Sequence, residues 1–321
     1  MKVLVIGAGW YGCHLACHLL SKGHTVVLVD KSNSIFSGSS SKNQNRLHLG
    51  YHYPRSPETI RECREGYEKF TLTYPQLLRK IPNNYYFIAS QGSKIAFDNY
   101  LKLFPDARVR STPLSIPIER VEKNYIQCDE QVILFEKARL FFQDCLINNL
   151  VKIDDTKVFA SVKSISSHLG DDFNYIINCT YNHLEPIEFD HYELFLTLLY
   201  KIDSEELFAY TIMDGNYFSV YPYSIEDNIY TLTSVQYGVI SSEADIDHHK
   251  KKIETGILEF IPSWAKKTQY IGHYLSYKTK PTTQTDDRSL RYKVNGNSVH
   301  FYGGKITGVF HAESILDKII G

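Results

Sequence analysis

The first thirty residues switch between two hydrophobic periods. Val3, Leu4, Val5 and Ile6 make a short continuous apolar run, as in a strand covered on both faces. Leu15, Ala16, Leu19 and Leu20 recur at three- and four-residue spacing, which predicts a helix over residues 11–22, and residues 25–29 (Thr-Val-Val-Leu-Val) read as a second strand. Gly7-Ala8-Gly9-Trp10-Tyr11-Gly12 lies between the first strand and the helix, and Asp30 closes the second strand. Strand, glycine turn, helix, strand and acid in this order form a dinucleotide fingerprint in its proper context. Gly7 permits the tight turn, Gly9 leaves the helix N-terminus clear for a pyrophosphate, and Gly12 lets helix and sheet approach. Asp30 follows Gly12 by 18 residues, near the place where an acid accepts hydrogen bonds from a ribose.

Further along, a charged helix is predicted over 57–70, with Ile60, Cys63, Tyr67 and Phe70 as its apolar stripe, before Pro75 and Pro82 punctuate the chain. A strand (85–89) and a helix (93–104) follow, then a strand (130–135) and a helix (137–150) that buries Leu140, Phe141, Cys145 and Leu146. Residues 157–165 and 173–179 read as strands. Strands at 194–202, 217–223 and 229–235, then a helix over 244–260, predict an antiparallel sheet with a covering helix. Near the C-terminus a strand (298–302), the turn Gly303-Gly304-Lys305 and a helix (306–320) repeat the chemistry of the N-terminus: backbone donors at a helix start, with no glycine side chain in the way. The expected fold is α/β: a Rossmann-like domain from residues 1–75, 131–190 and 275–321, and an inserted α+β substrate domain from 76–130 and 191–274.

At 321 residues and 43% hydrophobic, the chain is long enough for a sizeable core. Its 35 Lys and Arg nearly balance 36 Asp and Glu, so no overall field favours nucleic acid, and a small-molecule partner is expected. Six scattered cysteines lack metal-type spacing and read as reduced and mostly buried. No apolar run reaches the ~18 residues of a membrane span, and the first strand begins with no room for a signal peptide, so a cytoplasmic protein is expected. His14 and His18 are four apart, but without a zinc helix's glutamate or a third ligand they predict no metal.

The polar stretch after Asp30 carries Ser39-Ser40-Ser41-Lys42 and then Arg46, Leu47, His48, His52 and Arg55 among aromatics, a density of function that marks a site. The segment from Gly38-Ser39-Ser40-Ser41-Lys42 through Leu47-His48-Leu49-Gly50 resembles the flavin-contacting segment of the D-amino-acid-oxidase superfamily of FAD-dependent oxidoreductases. In pattern it is similar to the glycerol-3-phosphate dehydrogenase and 2-hydroxyglutarate oxidase branches. The resemblance implies FAD as cofactor. It puts Gly7, Gly9, Trp10, Tyr11 and Gly12 at the pyrophosphate, and Asp30 with Lys31 at the ribose of the AMP half. Ser40, Ser41, Lys42, Arg46, Leu47 and His48 lie along pyrophosphate and flavin, and Val158 offers its backbone to adenine. Cys179 and Thr180 stand where relatives carry Ala-Thr-Gly, with Tyr181 in place of the glycine. Gly303, Gly304, Lys305 and Ile306 face the pyrimidine end of the flavin. Lys280-Pro281 and Asp286-Asp287-Arg288 resemble the family's substrate segment, with lysine for arginine and Asp287 for glycine.

The implied reaction is hydride transfer from a CH–OH or CH–NH carbon of a small polar metabolite or sugar derivative. His48 is the first candidate base and His52 the second; Arg46, Lys280 or Arg288 would hold an anionic group. Two alternatives stay open: an NAD-dependent dehydrogenase or reductase, and a flavin-binding protein without turnover. By analogy the setting is bacterial.

Overall fold

Val3 and Val5 face one way, Leu4 and Ile6 the other, and both faces are covered, as the continuous apolar run requires. In the computed structural model, which describes residues 1–170, 172–186, 190–215, 217–281 and 287–321 apart from the side chains of 190, 280 and 281, strand Lys2–Ile6 lies inside a six-stranded sheet. The strand order is Arg291–Asn295, Ser298–Tyr302, Tyr175–Asn178, Lys2–Ile6, Thr25–Val29, Leu150–Val151. All neighbours run parallel except Arg291–Asn295 at the edge. Val3 and Val5 pack with Leu15, Phe142 and Leu316 of helices Trp10–Ser21, Phe135–Leu146 and Val309–Ile320. Leu4 and Ile6 pack with Ile165 of helix Val162–His168.

Parallel strands point the same way, so the turns that follow them collect along one sheet edge. Gly7, Asp30, Cys179 and Gly303 each directly follow such a strand. The two ends of the chain meet there.

The second sheet has nine strands in the order Val239–Ile240, Asp190–Ile202, Ile229–Ser234, Phe218–Ser224, Phe208–Met213, Asn83–Ala89, Val121–Gln127, Arg108–Arg110, with Thr268–Pro281 pairing along Asp190–Ile202. It is antiparallel apart from the pair Asn83–Ala89 and Phe208–Met213. Helix Ile246–Leu258 covers it through Ile253 and Ile257. A small third sheet joins Arg46–Leu47, Gln131–Ile133 and Leu78–Lys80. The architecture is the expected α/β sheet with an α+β companion.

Three expectations need correction. Residues 157–165 are not a strand: Asp155 and Ser161 accept from the backbone N–H groups of Lys157 and Ser164, and these caps start a 3₁₀ turn, Thr156–Ala160, and helix Val162–His168. The 14-residue strand Thr268–Pro281 was not foreseen. On helix Phe135–Leu146, Leu140 is 51% exposed and Cys145 is exposed, because Ala138, Phe142 and Leu146 form the buried face.

Candidate active site

A cavity of ≈ 1330 Å³ opens at the edge where the strand ends gather and extends to the large sheet. Its cofactor-side wall starts at Gly7, whose φ of +99° and 2.7 Å approach of a would-be Cβ to the Cys179 carbonyl admit only glycine. Helix Trp10–Ser21 points its N-terminus into this wall, and the Trp10 N–H donates to Ser40 Oγ at 3.1 Å. The serine turn is thereby tied to the fingerprint. Asp30 accepts from the Ala8 N–H (2.8 Å) and from Ser32, and its carboxylate lines the cavity. Tyr11 reaches across to the C-terminal turn and donates its hydroxyl proton to the Lys305 carbonyl at 2.8 Å. A Cβ on Gly303 would lie 2.0 Å from the Tyr11 hydroxyl, so the turn fits only because that carbon is missing. Anionic pyrophosphate fits such a helix start with glycines on either side.

At the other end, His48, His52, Tyr53 and Lys305 line the cavity together. The His48 and His52 rings are 6.4 Å apart, each packs on Tyr53, and Lys305 Nζ stands 4.3 Å from the Tyr53 ring centre. Burial, together with the charge of Lys305, pushes the His48 imidazole down to about 4 against the pull of Glu130. Burial and Arg46 hold His52 well below its ordinary range, and the same two causes bring Lys305 down to about 7. Both imidazoles are therefore neutral near pH 7, with a ring nitrogen free to accept a proton from a reacting group, and the Lys305 ammonium gives up its own proton readily.

Glu130, fully buried, carries no signal in the sequence, since its role depends on partners from distant elements. It accepts from the Leu49 N–H (2.8 Å) and the Tyr86 hydroxyl (2.7 Å), and faces His48 Nδ1 at 3.6 Å and Arg46 at 3.7 Å. Burial pushes its carboxyl up, but His48, Arg46 and the Leu49 N–H together hold it below the ordinary value.

The other expected residues divide into groups. Lys31, Ser40, Lys42, Cys179, Thr180, Gly304 and Ile306 line the cavity. Ser41 and Leu47 stand behind that wall: Ser41 Oγ bonds the Gly38 carbonyl, and Leu47 is wholly buried in the core. Val158 sits in a helical turn with its N–H on the Asp155 carbonyl, so the expected strand edge for adenine is absent there. Tyr181, standing for the family's glycine, adopts φ +55°, the left-handed conformation that glycine would take without strain. Arg46 reaches the cavity, yet its guanidinium donates to Tyr86, Thr211 and Ser219 and lies 4.1 Å over the Tyr221 ring. Its donors are largely committed inside the protein. Arg288 lines the cavity while donating to the Asp287 carbonyl at 2.7 Å. The Lys280 side chain and residue 286 lie outside the described residues. Among the described residues, no helix is long and apolar enough to cross a membrane.

A family model described as FAD dependent oxidoreductase (DAO) matches residues 2–108. Over 338 positions the chain is 31% identical to the FAD-dependent monooxygenase FPY4 of Fusarium mangiferae, covering 98% of this chain and 90% of that protein. The chain belongs to the DAO family of FAD-dependent oxidoreductases. It is therefore an enzyme, and its cofactor is FAD, which removes the NAD-only and non-catalytic alternatives. It is also 27% identical to the FAD-dependent monooxygenase kojA of Aspergillus flavus, over 100% of this chain and 86% of that one. Both relatives are fungal, so the bacterial setting finds no support. The fold is that of glycine oxidase from Geobacillus kaustophilus (TM-score 0.70, 8% identity, 96% of this chain and 90% of that one). It is equally that of iminodiacetate oxidase from Chelativorans sp. BNC1 (TM-score 0.67, 13% identity, 96% and 91%).

Proposed function

We propose that this enzyme oxidises a small polar metabolite or sugar derivative at a CH–OH or CH–NH carbon, with His48 taking the proton from the departing O–H or N–H. Bound FAD supplies the hydride acceptor. Gly7, Gly9, Trp10, Tyr11 and Gly12 hold the pyrophosphate, and Asp30 and Lys31 hold the ribose. Ser40, Lys42, Cys179 and Thr180 line the dinucleotide's path, and Gly303 to Ile306 flank the flavin ring. The substrate occupies the far end of the cavity, on the side of the large sheet. Residues 1–75, 131–190 and 275–321 make the cofactor unit and the remainder the substrate unit, with strand Thr268–Pro281 as the seam.

The observation that carries this reading is the convergence of His48, His52 and Lys305 beside the Gly303-Gly304 turn, with His48 neutral at pH 7. A neutral imidazole accepts a proton as hydride leaves, and the neighbouring Lys305 is placed to offset negative charge developing nearby. The serine turn and the Gly-Gly-Lys turn favour a place near the glycerol-3-phosphate dehydrogenase and 2-hydroxyglutarate oxidase branches. The solved structures of similar fold include enzymes named for glycine and iminodiacetate, so substrates of both kinds belong in the test.

The test is anaerobic bleaching of the flavin by a panel of hydroxy acids, amino acids, polyol phosphates and sugar derivatives. His48→Gln should slow bleaching by the best substrate about 10²- to 10⁴-fold while retaining flavin. Bleaching at the wild-type rate in that variant would remove His48 as the base. The names of the fungal relatives favour a second reading, oxygenation of the substrate. Isotope from labelled O₂ appearing in the product would select it.

A further inference from the structure

We propose that the substrate is a neutral polyhydroxylated compound, a sugar or polyol, held by hydroxyls that cross the large sheet: Ser219, Thr233, Thr197, Tyr274 and Ser276. The inference rests on the reading that the substrate is oxidised at the sheet end of the cavity, and it narrows the substrate class. Strands Phe208–Met213, Phe218–Ser224, Ile229–Ser234, Asp190–Ile202 and Thr268–Pro281 are neighbours in that order. Thr211 pairs with Ser219, Ser219 with Thr233, and Thr197 with Tyr274. Thr233 and Thr197 adjoin the pair Leu232–Leu198, so the row continues between their strands. Five strands thus each place a hydroxyl at one level across the sheet. Leu196, Leu198, Val220 and Leu232, their neighbours in sequence, pack with Ile253 and Ile257 of the covering helix, and the period of two turns the hydroxyls to the other face. There Ser219, Thr233, Thr197, Tyr274 and Ser276 line the cavity.

A covered sheet face is ordinarily apolar, because a buried hydroxyl costs free energy unless it is hydrogen-bonded. Thr197, Ser219 and Ser276 are 3%, 6% and 4% exposed, and among the described residues Ser276 Oγ has no hydrogen-bond partner. A ligand in the cavity would supply one. A hydroxyl both donates and accepts, as the hydroxyls of a polyol do, whereas a carboxylate only accepts and an ammonium only donates. The row carries no formal charge and offers a carboxylate or phosphate no bidentate partner. The cations nearby are engaged: Arg46 donates to Thr211 and Ser219, Arg55 pairs with Asp214, and Lys278 Nζ lies 3.0 Å from the Phe195 ring centre. Arg46 also fixes where the row begins. It stands 3.7 Å from Glu130, which faces His48 Nδ1 at 3.6 Å, so the first hydroxyls lie close to the candidate base.

The test titrates the oxidised holoenzyme with D-glucose, myo-inositol and glycerol, and with glycine, L-lactate and glycerol 3-phosphate, and follows the flavin spectrum. One of the neutral polyols should bind more tightly than any of the charged compounds. Thr197→Val and Thr233→Val, which keep the side-chain shape and remove the hydroxyl, should each weaken polyol binding about 2- to 10-fold, raising KM with kcat nearly constant. Ser276→Ala should weaken it similarly without lowering the melting temperature, since no partner within the protein is lost. A charged compound that binds more tightly than every polyol, or no spectral change with any polyol, would overturn the proposal and leave the role of His48 standing. So would polyol binding undiminished in all three variants. Polyol binding that the variants weaken, together with wild-type bleaching in His48→Gln, would instead remove the base and keep the hydroxyl row.

Discussion

His48 shows how far burial moves a single group and what that does to the whole protein. Its imidazole titrates near 4 in the fold, because burial and Lys305 oppose the charged form. In the unfolded chain it titrates at about 6.5, so between those values the unfolded state binds the proton first. Stability is then complete above pH ~6.5 and is lost as pH falls toward 4, by on the order of 3 kcal/mol for this residue. His52, also held low, adds a loss of the same sign. Urea melts at steps from pH 7 to pH 4.5 should show the decline, and His48→Asn should flatten part of it. An equal decline in the variant would mean that other groups carry it. The sequence marked both histidines by their density among aromatics. It could not mark Glu130, because a buried carboxylate is recognisable only from partners such as Leu49 and Tyr86, which other stretches of chain bring to it.

Among the elements, the C-terminal turn depends on a missing carbon. An alanine at 303 would drive its Cβ to 2.0 Å from the Tyr11 hydroxyl and break the 2.8 Å bond to the Lys305 carbonyl. Overpacking of this kind costs about 1–3 kcal/mol, and the lost hydrogen bond about 1 more. Gly303→Ala should therefore melt several degrees lower and carry less flavin per chain by absorbance. Tyr11→Phe, which removes only the bond, should lose about 1 kcal/mol and keep its flavin. Wild-type stability in Gly303→Ala would mean the turn does not rest on Tyr11. Both glycine turns were legible because strand, turn and helix signals there are local. Strand Thr268–Pro281 was not: Gly272 and a run of polar residues interrupt its pattern, and its pairing partner, Asp190–Ile202, lies some 80 residues earlier. The misread strand at 157–165 failed for the opposite reason, since two local caps outweighed its apolar content.

Across the whole molecule, the cavity of ≈ 1330 Å³ exceeds the ~300–1,000 Å³ typical of a pocket for one small molecule, as a site holding both dinucleotide and substrate should. Its walls belong to both large sheets: Gly7, Asp30 and Cys179 at the ends of the parallel strands, Thr197, Ser219 and Thr233 on the nine-stranded sheet. Between them runs the segment 31–55, whose regular structure is only the two-residue strand Arg46–Leu47 and whose contacts are mostly side-chain hydrogen bonds. FAD bound in this cavity would touch that segment and the 303–306 turn at once, so removing it should loosen those two regions before any other. A ligand at a hundred times its Kd adds about 2.7 kcal/mol of stability, which sets the scale of the drop in melting temperature expected on stripping the flavin. Hydrogen exchange should then rise in 31–55 and 303–308 and stay unchanged in Lys2–Ile6, which is buried on both faces and paired on both edges. Uniform exchange across apo and holo protein would place the flavin's grip elsewhere, because a cofactor cannot span two sheets without slowing the opening of the chain that joins them.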